Sequence, residues 1–450
     1  MSKNYLVLWI IFQLLIEINC QMTPFKPTVS NKHTATLIDN KLYILGGDDV
    51  NTNYIDKSFF YLDFSVPFNT QNLLWQDLSN IDSVPSHSEA ASVRGGANND
   101  TLFLYGGHSN DQTIELVYTF DPQSIKWSIP KIAEINSAIR KSEVTGVNYN
   151  GKMYLWGGFN RDTINISWGK GSLVNAPTPR SLYGATLLPN NNIIYMGGTD
   201  TDTITYNLKT FNIIQGNAFT LSEVYLYDTI NDNWSIKTTS GKIPSNRAVF
   251  STVLGLDGQR VIIFGGMFNN PGYLDTTLYV LDLTNFNWYV PKSSGNIPNS
   301  RIYHKANVIG KYMVISFGLG YDNSTESDIL LLDISNNEEY IWTTSFVPTV
   351  PNNMPPSSSS SSSPSSSLSP TNNIPVIAGA TVGSLFGIIL LSFGSFFLYK
   401  RNKKSKQKDI LRIQGNENHE RAIRINENST DHEPIIPTSL VNRIMTMGKK

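Results

Sequence analysis

One cysteine, Cys20, occurs in 450 residues, and it closes an N-terminal apolar stretch. An extracellular domain without disulfides must be held by its own core, so one large closed architecture fits better than a string of small stapled modules. Histidine is also scarce. Four of the six, His33, His87, His108 and His304, precede residue 376, and they lie in different segments with no close pair to hold a metal. Charge is low at 16%, with a formal net of −1. Residues 21–399 carry 22 basic and 29 acidic side chains, which argues against nucleic acid or heparin as a partner, because polyanions require a basic face. No G-x-S-x-G, H-E-x-x-H or G-x-x-x-x-G-K-[ST] motif is present. WGKGS (168–172) lacks the spacing and the preceding strand of a phosphate loop, and TDTDT (199–203) reads as a solvated turn rather than a calcium site. An acid–base pair assembled from distant segments stays open, and with it a non-metal hydrolase or isomerase.

Long apolar runs are confined to the two ends. Residues 1–20 place Lys3 before an apolar stretch from Tyr5 to Ile16, the pattern of a secretory signal peptide or, alternatively, a retained signal anchor. Val376–Tyr399 contains no charge across 24 residues, long enough to cross a hydrocarbon core of roughly 30 Å with some tilt. KRNKKSKQK follows at once, and residues from Lys400 onward hold 12 Lys and Arg against 6 Asp and Glu. The positive-inside rule puts that cluster in the cytoplasm, against anionic lipid. The expected topology is a single pass through the plasma membrane with the N-terminus outside. Gly379, Gly383 and Gly387 recur at intervals of four in the span, a small-residue face that would allow a homodimer. Between head and span, residues 347–375 are rich in Ser and Pro and should form an unfolded stalk. The tail, 400–450, has no enzymatic motif and reads as disordered or as a docking segment.

The middle of the chain repeats. LYILGG (42–47) returns as LFLYGG (102–107), MYLWGG (153–158), IIYMGG (193–198) and VIIFGG (261–266), with a worn copy, MVISFGLG, at 313–320. Successive copies are 60, 51, 40, 68 and 53 residues apart. A polar or glycine turn such as Asn150-Gly151 precedes each copy, and a further short strand precedes the turn, as expected of a hairpin. After the glycines come a polar loop and a strand ending in Asp63, Asp121, Asp228, Asp282 or Asp333; a tryptophan, Trp75, Trp127, Trp234, Trp288 or Trp342, then marks a fourth strand. The aspartates can bond to nearby backbone and shape the turn. The tryptophans offer a large apolar surface to pack sheet on sheet.

These motifs, over about residues 21–346, resemble the kelch family. The resemblance implies an all-β fold: a six-bladed kelch-type β-propeller, each blade a four-stranded antiparallel sheet. The glycine pairs, Gly46-Gly47, Gly106-Gly107, Gly157-Gly158, Gly197-Gly198 and Gly265-Gly266, are then structural, letting the backbone turn where strands crowd toward the axis. Four copies keep all or part of a proline-and-basic lead-in, VPSH87, PTPR180, IPSNR247 and IPNSR301, and His33 and His304 hold equivalent places that read as packing or hydrogen-bonding positions. The third unit is the shortest, with Trp168 close after Gly158 and no evident fourth strand. The first and last units both read as complete, which leaves either terminus open as the one closing the ring.

The resemblance implies either a binding scaffold or an oxidase similar to galactose oxidase. The oxidase's copper site uses clustered histidines and a tyrosine cross-linked to cysteine, and the mature exterior here has no cysteine for it. No cofactor is expected, and no metal ligands or catalytic residues are assigned. The function expected is non-catalytic binding of an extracellular protein or glycan; the alternative is a membrane-tethered propeller enzyme. Loops between the second and third strands are long, and the fourth unit inserts about twenty residues at 199–218. Such loops on a rigid scaffold are where function gathers. They carry Tyr54, His108, Phe159, Arg161, Tyr206, Phe211, Phe268, Tyr273 and Tyr321, residue types that favour binding hot spots or, as the plainer reading, fold back as lids. Glycosylation is expected at Asn99, Asn165 and Asn323; Asn233, before Trp234, reads as too buried to modify.

Overall fold

A computed structural model describes residues 24–349, except 29, 50–53, 112, 132–139, 160–170, 201–202 and 270–276. Met1–Asn353 form one compact unit; the second, Met354–Lys450, lies outside the described residues, as do the N-terminal apolar stretch, Val376–Tyr399 and the glycines at 379, 383 and 387. Among the described residues no helix is long and apolar enough to cross a membrane.

The described chain is all-β apart from one short 3-10 turn, Tyr321–Asn323. Six inner strands form a closed ring: Thr34–Ile38, Ala91–Gly95, Val147–Tyr149, Gly184–Leu187, Ser251–Leu254 and Lys305–Ile309, each touching the next and the last touching the first. From each, a meander runs outward. Blade 1 adds Lys41–Leu45, Phe59–Asp63 and Gln76–Asp77 in that spatial order, and blades 2, 4, 5 and 6 repeat it. Blade 3 has two strands among the described residues, Val147–Tyr149 and Lys152–Tyr154, and Trp168 falls outside them. In blades 5 and 6 the segments Ser240–Gly241 and Ser293–Gly295 add a fifth, parallel strand at the outer edge.

Burial explains the sequence pattern. The second strand of a blade lies between two neighbouring blades, so KLYIL, RVIIF and YMVIS are buried almost throughout and read as continuous apolar runs rather than alternating ones. The core is divided into layers between blades. Trp75, Trp127, Trp234, Trp288 and Trp342 are all at most 6% exposed, each in the layer between its own blade and the preceding one. Trp234 and Trp288 also donate their indole N–H to the carbonyls of Ser172 and Leu221, 2.8 and 3.1 Å away. Each third-strand aspartate accepts a hydrogen bond from the backbone N–H two residues on, at 2.7–3.0 Å, in all five copies. That closes the turn into the fourth strand as the sequence leads one to expect.

The glycine pairs act at the blade-to-blade contact rather than at the axis. The second glycine donates its N–H to the lead-in residue of the following blade: Gly47 to His87, Gly107 to Lys141, Gly158 to Arg180, Gly198 to Arg247 and Gly266 to Arg301, all at 2.8–3.0 Å. The first glycine has positive φ, and a Cβ on Gly46, Gly106, Gly157 or Gly265 would lie 2.2–2.3 Å from that same carbonyl. Crowding nearest the axis falls instead on Gly146 and Gly184, whose added Cβ atoms would meet Met153 and Thr252.

The sixth copy differs from its expected register. Phe317 N–H bonds Asp328 O, as Gly46 bonds Ser58 and Gly265 bonds Thr277, so Phe317-Gly318 is the equivalent pair. Phe317 keeps the left-handed conformation, φ 51°, and its ring is fully buried beside His33, Phe60 and Trp75 at 5.3–5.8 Å. This ring fills the seam between blades 6 and 1. Among the described residues no terminal segment joins the four-stranded sheet of another blade there. Closure uses the His33 Nε2 to Ser316 Oγ contact at 3.0 Å, Lys32 N–H to Tyr303 O at 3.1 Å, and Ser345–Phe346 paired on Phe68–Asn69.

Candidate functional site

The loops after the glycine pairs do leave from one face, and the lead-in segments share it. One residue past each pair bonds or bridges the lead-in of its own blade: Asp48 with Asn31, His108 with Ser88, Phe159 with Ser142, Thr199 with Ser181, Met267 with Ala248 and Leu319 with Ile302. The next lead-in residue adopts positive φ in every blade, 55–64° at Lys32, Glu89, Glu143, Leu182, Val249 and Tyr303. Their backbones link around the axis. Lys32 N–H donates to Tyr303 O, Glu89 to Lys32, Glu143 to Glu89, Leu182 to Glu143 and Val249 to Leu182, at 2.9–3.1 Å. A left-handed conformation at six non-glycine, non-asparagine residues of various shapes is costly; the chain of hydrogen bonds around the axis holds it.

This ring is the mouth of the propeller, and its two halves differ chemically. Blades 1–3 contribute Lys32, Glu89 and Glu143. Blades 4–6 contribute Leu182, Val249 and Tyr303. Lys32 Nζ lies 2.6 Å from Glu89, 3.4 Å from Asp48 and 5.0 Å from the centre of the Tyr303 ring. Burial works against its charge, but Tyr303, Glu89 and Asp48 outweigh that, and its pKa is raised. Burial also raises the Tyr303 hydroxyl's pKa, with Lys32 opposing.

The long insertion is a lid over the apolar half. Thr205–Tyr206 and Asn212–Gln215 form a hairpin that pairs with Met267–Asn269, which in turn pairs with Arg247–Ala248. Asp322 N–H reaches Leu208 O at 2.9 Å, tying the hairpin to blade 6. Phe211 is 1% exposed and stacks on Tyr321 at 4.7 Å, and Phe268 is 8% exposed beneath it. Phe211 and Phe268 are therefore lid core, not ligand contacts, because burying them is what holds the hairpin down. Tyr206 and Tyr321 are half-buried at its edge, and His108 and Phe159 are half-buried over blades 2 and 3. Tyr54 lies in a short strand paired with Asp49. Arg161 and Tyr273 lie outside the described residues, as does Asn165. Asn99 and Asn323 are exposed, and so is Asn233: the strand alternates, burying Trp234 and turning Asn233 outward.

Lys32, Glu89, Glu143 and Tyr303 are the residues that sequence reasoning missed. Their signal is positional. Each follows the Asn, Ser or Ile that comes after a lead-in, and in the first three copies this site is charged, Lys32, Glu89 and Glu143, although it adjoins a buried position. His33, His87 and His304 are buried and structural in placement: His304 Nε2 contacts Ser251 Oγ at 2.8 Å and His87 Nδ1 contacts Pro85 O at 3.1 Å. Among the described residues no three His, Cys, Asp or Glu side chains are grouped as a metal site would require.

Comparison with known proteins follows the same lines. The family model described as the KLHDC2/KLHL20/DRC7 Kelch-repeats domain matches residues 32–216 and 213–383. Kelch domain-containing protein 3 of Rattus norvegicus is 24% identical over 339 residues, covering 67% of this chain and 84% of that protein. The N-(sulfonatooxy)prop-2-enimidothioate sulfolyase of Thlaspi arvense is 22% identical over 288 residues, covering 58% and 79%. Host cell factor 1 of Homo sapiens is 30% identical over 112 residues, 24% of this chain and 5% of that one. Among solved structures, one titled "Structure of YjhT" superposes with a TM-score of 0.51 at 14% identity, covering 71% of this chain and 99% of its own; at that identity the likeness is one of fold.

Proposed function

This chain belongs to the KLHDC2/KLHL20/DRC7 kelch-repeat family, and we propose that its propeller is a non-catalytic recognition head displayed outside the cell on a single-pass anchor. The observation that carries the reading is the mouth ring: six side chains that do not follow the repeat, held rigidly by backbone bonds between blades. A charged half at Lys32, Glu89 and Glu143 beside the half-buried tyrosines at the lid's edge, Tyr206 and Tyr321, suits a protein segment or a glycan, each of which offers both apolar and polar surface. Rigid presentation lowers the entropy lost on binding. The relatives named for kelch domains agree with a scaffold, and the sulfolyase keeps a propeller enzyme as the second reading. The signal peptide, the span at Val376–Tyr399, the Gly379, Gly383 and Gly387 dimer face, and glycans at Asn99, Asn165 and Asn323 belong to the same proposal and rest on the sequence.

The test uses the full-length chain on cells, tagged at both ends. Antibody should reach a tag after residue 21 on intact cells and a C-terminal tag after permeabilisation alone. Proximity labelling from the head should then give a set of surface proteins or glycoconjugates that Lys32→Ala and Tyr206→Ala deplete and an exposed substitution in a turn between a first and a second strand, Asn190→Asp, preserves. A labelled set indifferent to both mouth substitutions would refute the site, and a C-terminal tag open to intact cells would refute the topology.

A further inference from the structure

Behind the mouth, the inner strands enclose an axial cavity of about 210 Å³, walled mainly by Ala, Gly, Ser and Thr side chains from all six blades. At roughly 30 Å³ per water it has room for about seven waters, and its walls are polar enough to keep it wet. Among the described residues that line it, one is charged: Lys305. It stands on the inner strand Lys305–Ile309 two positions before Asn307, so both side chains share the face turned to the axis.

No ion pair or hydrogen bond of the Lys305 ammonium is present among the described residues. The nearest carboxylate in electrostatic reach, Glu89, is bound to Lys32 at 2.6 Å on the mouth side. His304, next to Lys305 in the chain, and His33, just before the inner strand of blade 1, both feel the Lys305 charge; burial lowers their pKa values, and they bring no negative charge. Other cavity hydroxyls are already committed to holding the ring. Thr145 donates to Tyr183 O at 2.9 Å, and Thr252 donates to Ala185 O at 3.1 Å, each across a blade junction. Ser92 and Thr36 share one hydrogen bond at 2.6 Å, which leaves one of their two hydroxyl hydrogens for another acceptor. The Asn307 amide makes no hydrogen bond among the described residues. Unused hydrogen-bond donors therefore face a partly open cavity whose one lining charge is positive, while the counter-charge in reach, Glu89, stands outside the lining and is already engaged by Lys32.

We propose that the axial cavity binds a small monovalent anion, a halide or a short carboxylate, against Lys305 and Asn307. An ammonium turned into a narrow cavity without a direct partner is disfavoured, and an anion with part of its hydration shell fits the volume. Burial pushes the Lys305 pKa down and Glu89 opposes it only in part; a bound anion opposes that shift further and keeps the amine charged. This site is independent of the ligand proposed at the mouth, which approaches from outside the ring.

Full-length protein in detergent, exchanged into gluconate buffer, is titrated with sodium chloride while the chloride-35 line width is recorded. Wild type should show saturable excess broadening that acetate displaces. Lys305→Met, close in length but uncharged, should weaken chloride at least ten-fold, whereas Lys305→Arg and the mouth variant Lys32→Met should retain it. Absence of saturable broadening in wild type overturns the site. Broadening equal in wild type and Lys305→Met overturns it as well, by placing the halide elsewhere. If Lys305→Met does not fold, loss of the saturable broadening in Asn307→Leu supports the site and its retention overturns the assigned pair.

Discussion

At the scale of single residues, glycine here answers two different demands, and they can be separated. Gly151 has φ 72° in the Asn150-Gly151 turn, and nothing lies within 4 Å of the place its Cβ would take. Gly151→Ala therefore meets the left-handed penalty alone, about 1–2 kcal/mol. Gly106 has φ 69°, and its Cβ would sit 2.2 Å from Lys141 O, the acceptor of the Gly107 N–H bond. Gly106→Ala must add to that penalty the displacement of a blade-to-blade hydrogen bond. Urea unfolding of the two variants should put Gly106→Ala at least about 2 kcal/mol below Gly151→Ala; equal losses would mean that the junction yields at no cost. Phe317 shows what replaces glycine when the junction is the seam. Its ring occupies the layer between blades 6 and 1, and that packing offsets the positive φ that the side chain must adopt.

At the scale of elements, the blades were legible because each is a local code. A hairpin turn, a paired glycine, an aspartate and a tryptophan recur at short range, and each meets its partner within one blade or the next. The insertion was not legible in the same way. Its aromatics resemble those of a binding loop, and what covers Phe211 is Tyr321, more than a hundred residues later in blade 6. The mouth ring was missed for a related reason, since its regularity lies in backbone conformation while its side chains vary. The lid reading has a direct consequence. Phe211→Ala removes the ring that anchors the hairpin, a loss of roughly 3 kcal/mol for a buried phenylalanine, confined to opening of this one element. Lys209 is exposed at its tip. Trypsin should therefore cut after Lys209 on the order of a hundred-fold faster in the variant, while the urea midpoint of the blades moves little. A shared drop in both would make the hairpin part of the propeller's cooperative core.

At the scale of the whole molecule, a ring closed without strand exchange depends on side chains at its junctions, and two of those side chains titrate. His33 contacts Ser316 across the seam between blades 6 and 1, and His304 contacts Ser251 between blades 5 and 6. Burial holds both well below the ordinary value of 6.5, His304 at about 3, with Lys305 and Arg301 adding repulsion; His87, buried beside Pro85 O, is lowered to about 4. Well above pH 6.5, by about 7.5, the histidines are neutral in both the folded and unfolded chain and leave stability unchanged. As pH falls from 6.5 toward 4, the unfolded chain takes up protons that the folded chain refuses, so stability must fall. The slope approaches about 1.4 kcal/mol per pH unit for each histidine. Hydrogen bonds hold Asp121, Asp228 and Asp333 below the ordinary carboxylate range, so between 6.5 and 4.5 the histidines dominate. Urea midpoints taken at pH 7.5, 6.5, 5.5 and 4.5 should fall slightly between the first two and then drop steeply. His87→Gln, which removes one of the three without touching either junction contact, should lower the slope by about a third. A midpoint flat down to pH 4.5 would require the folded ring to accept protons at His33 and His304, and the closure would then have to rest on the backbone bonds and the Phe317 packing alone.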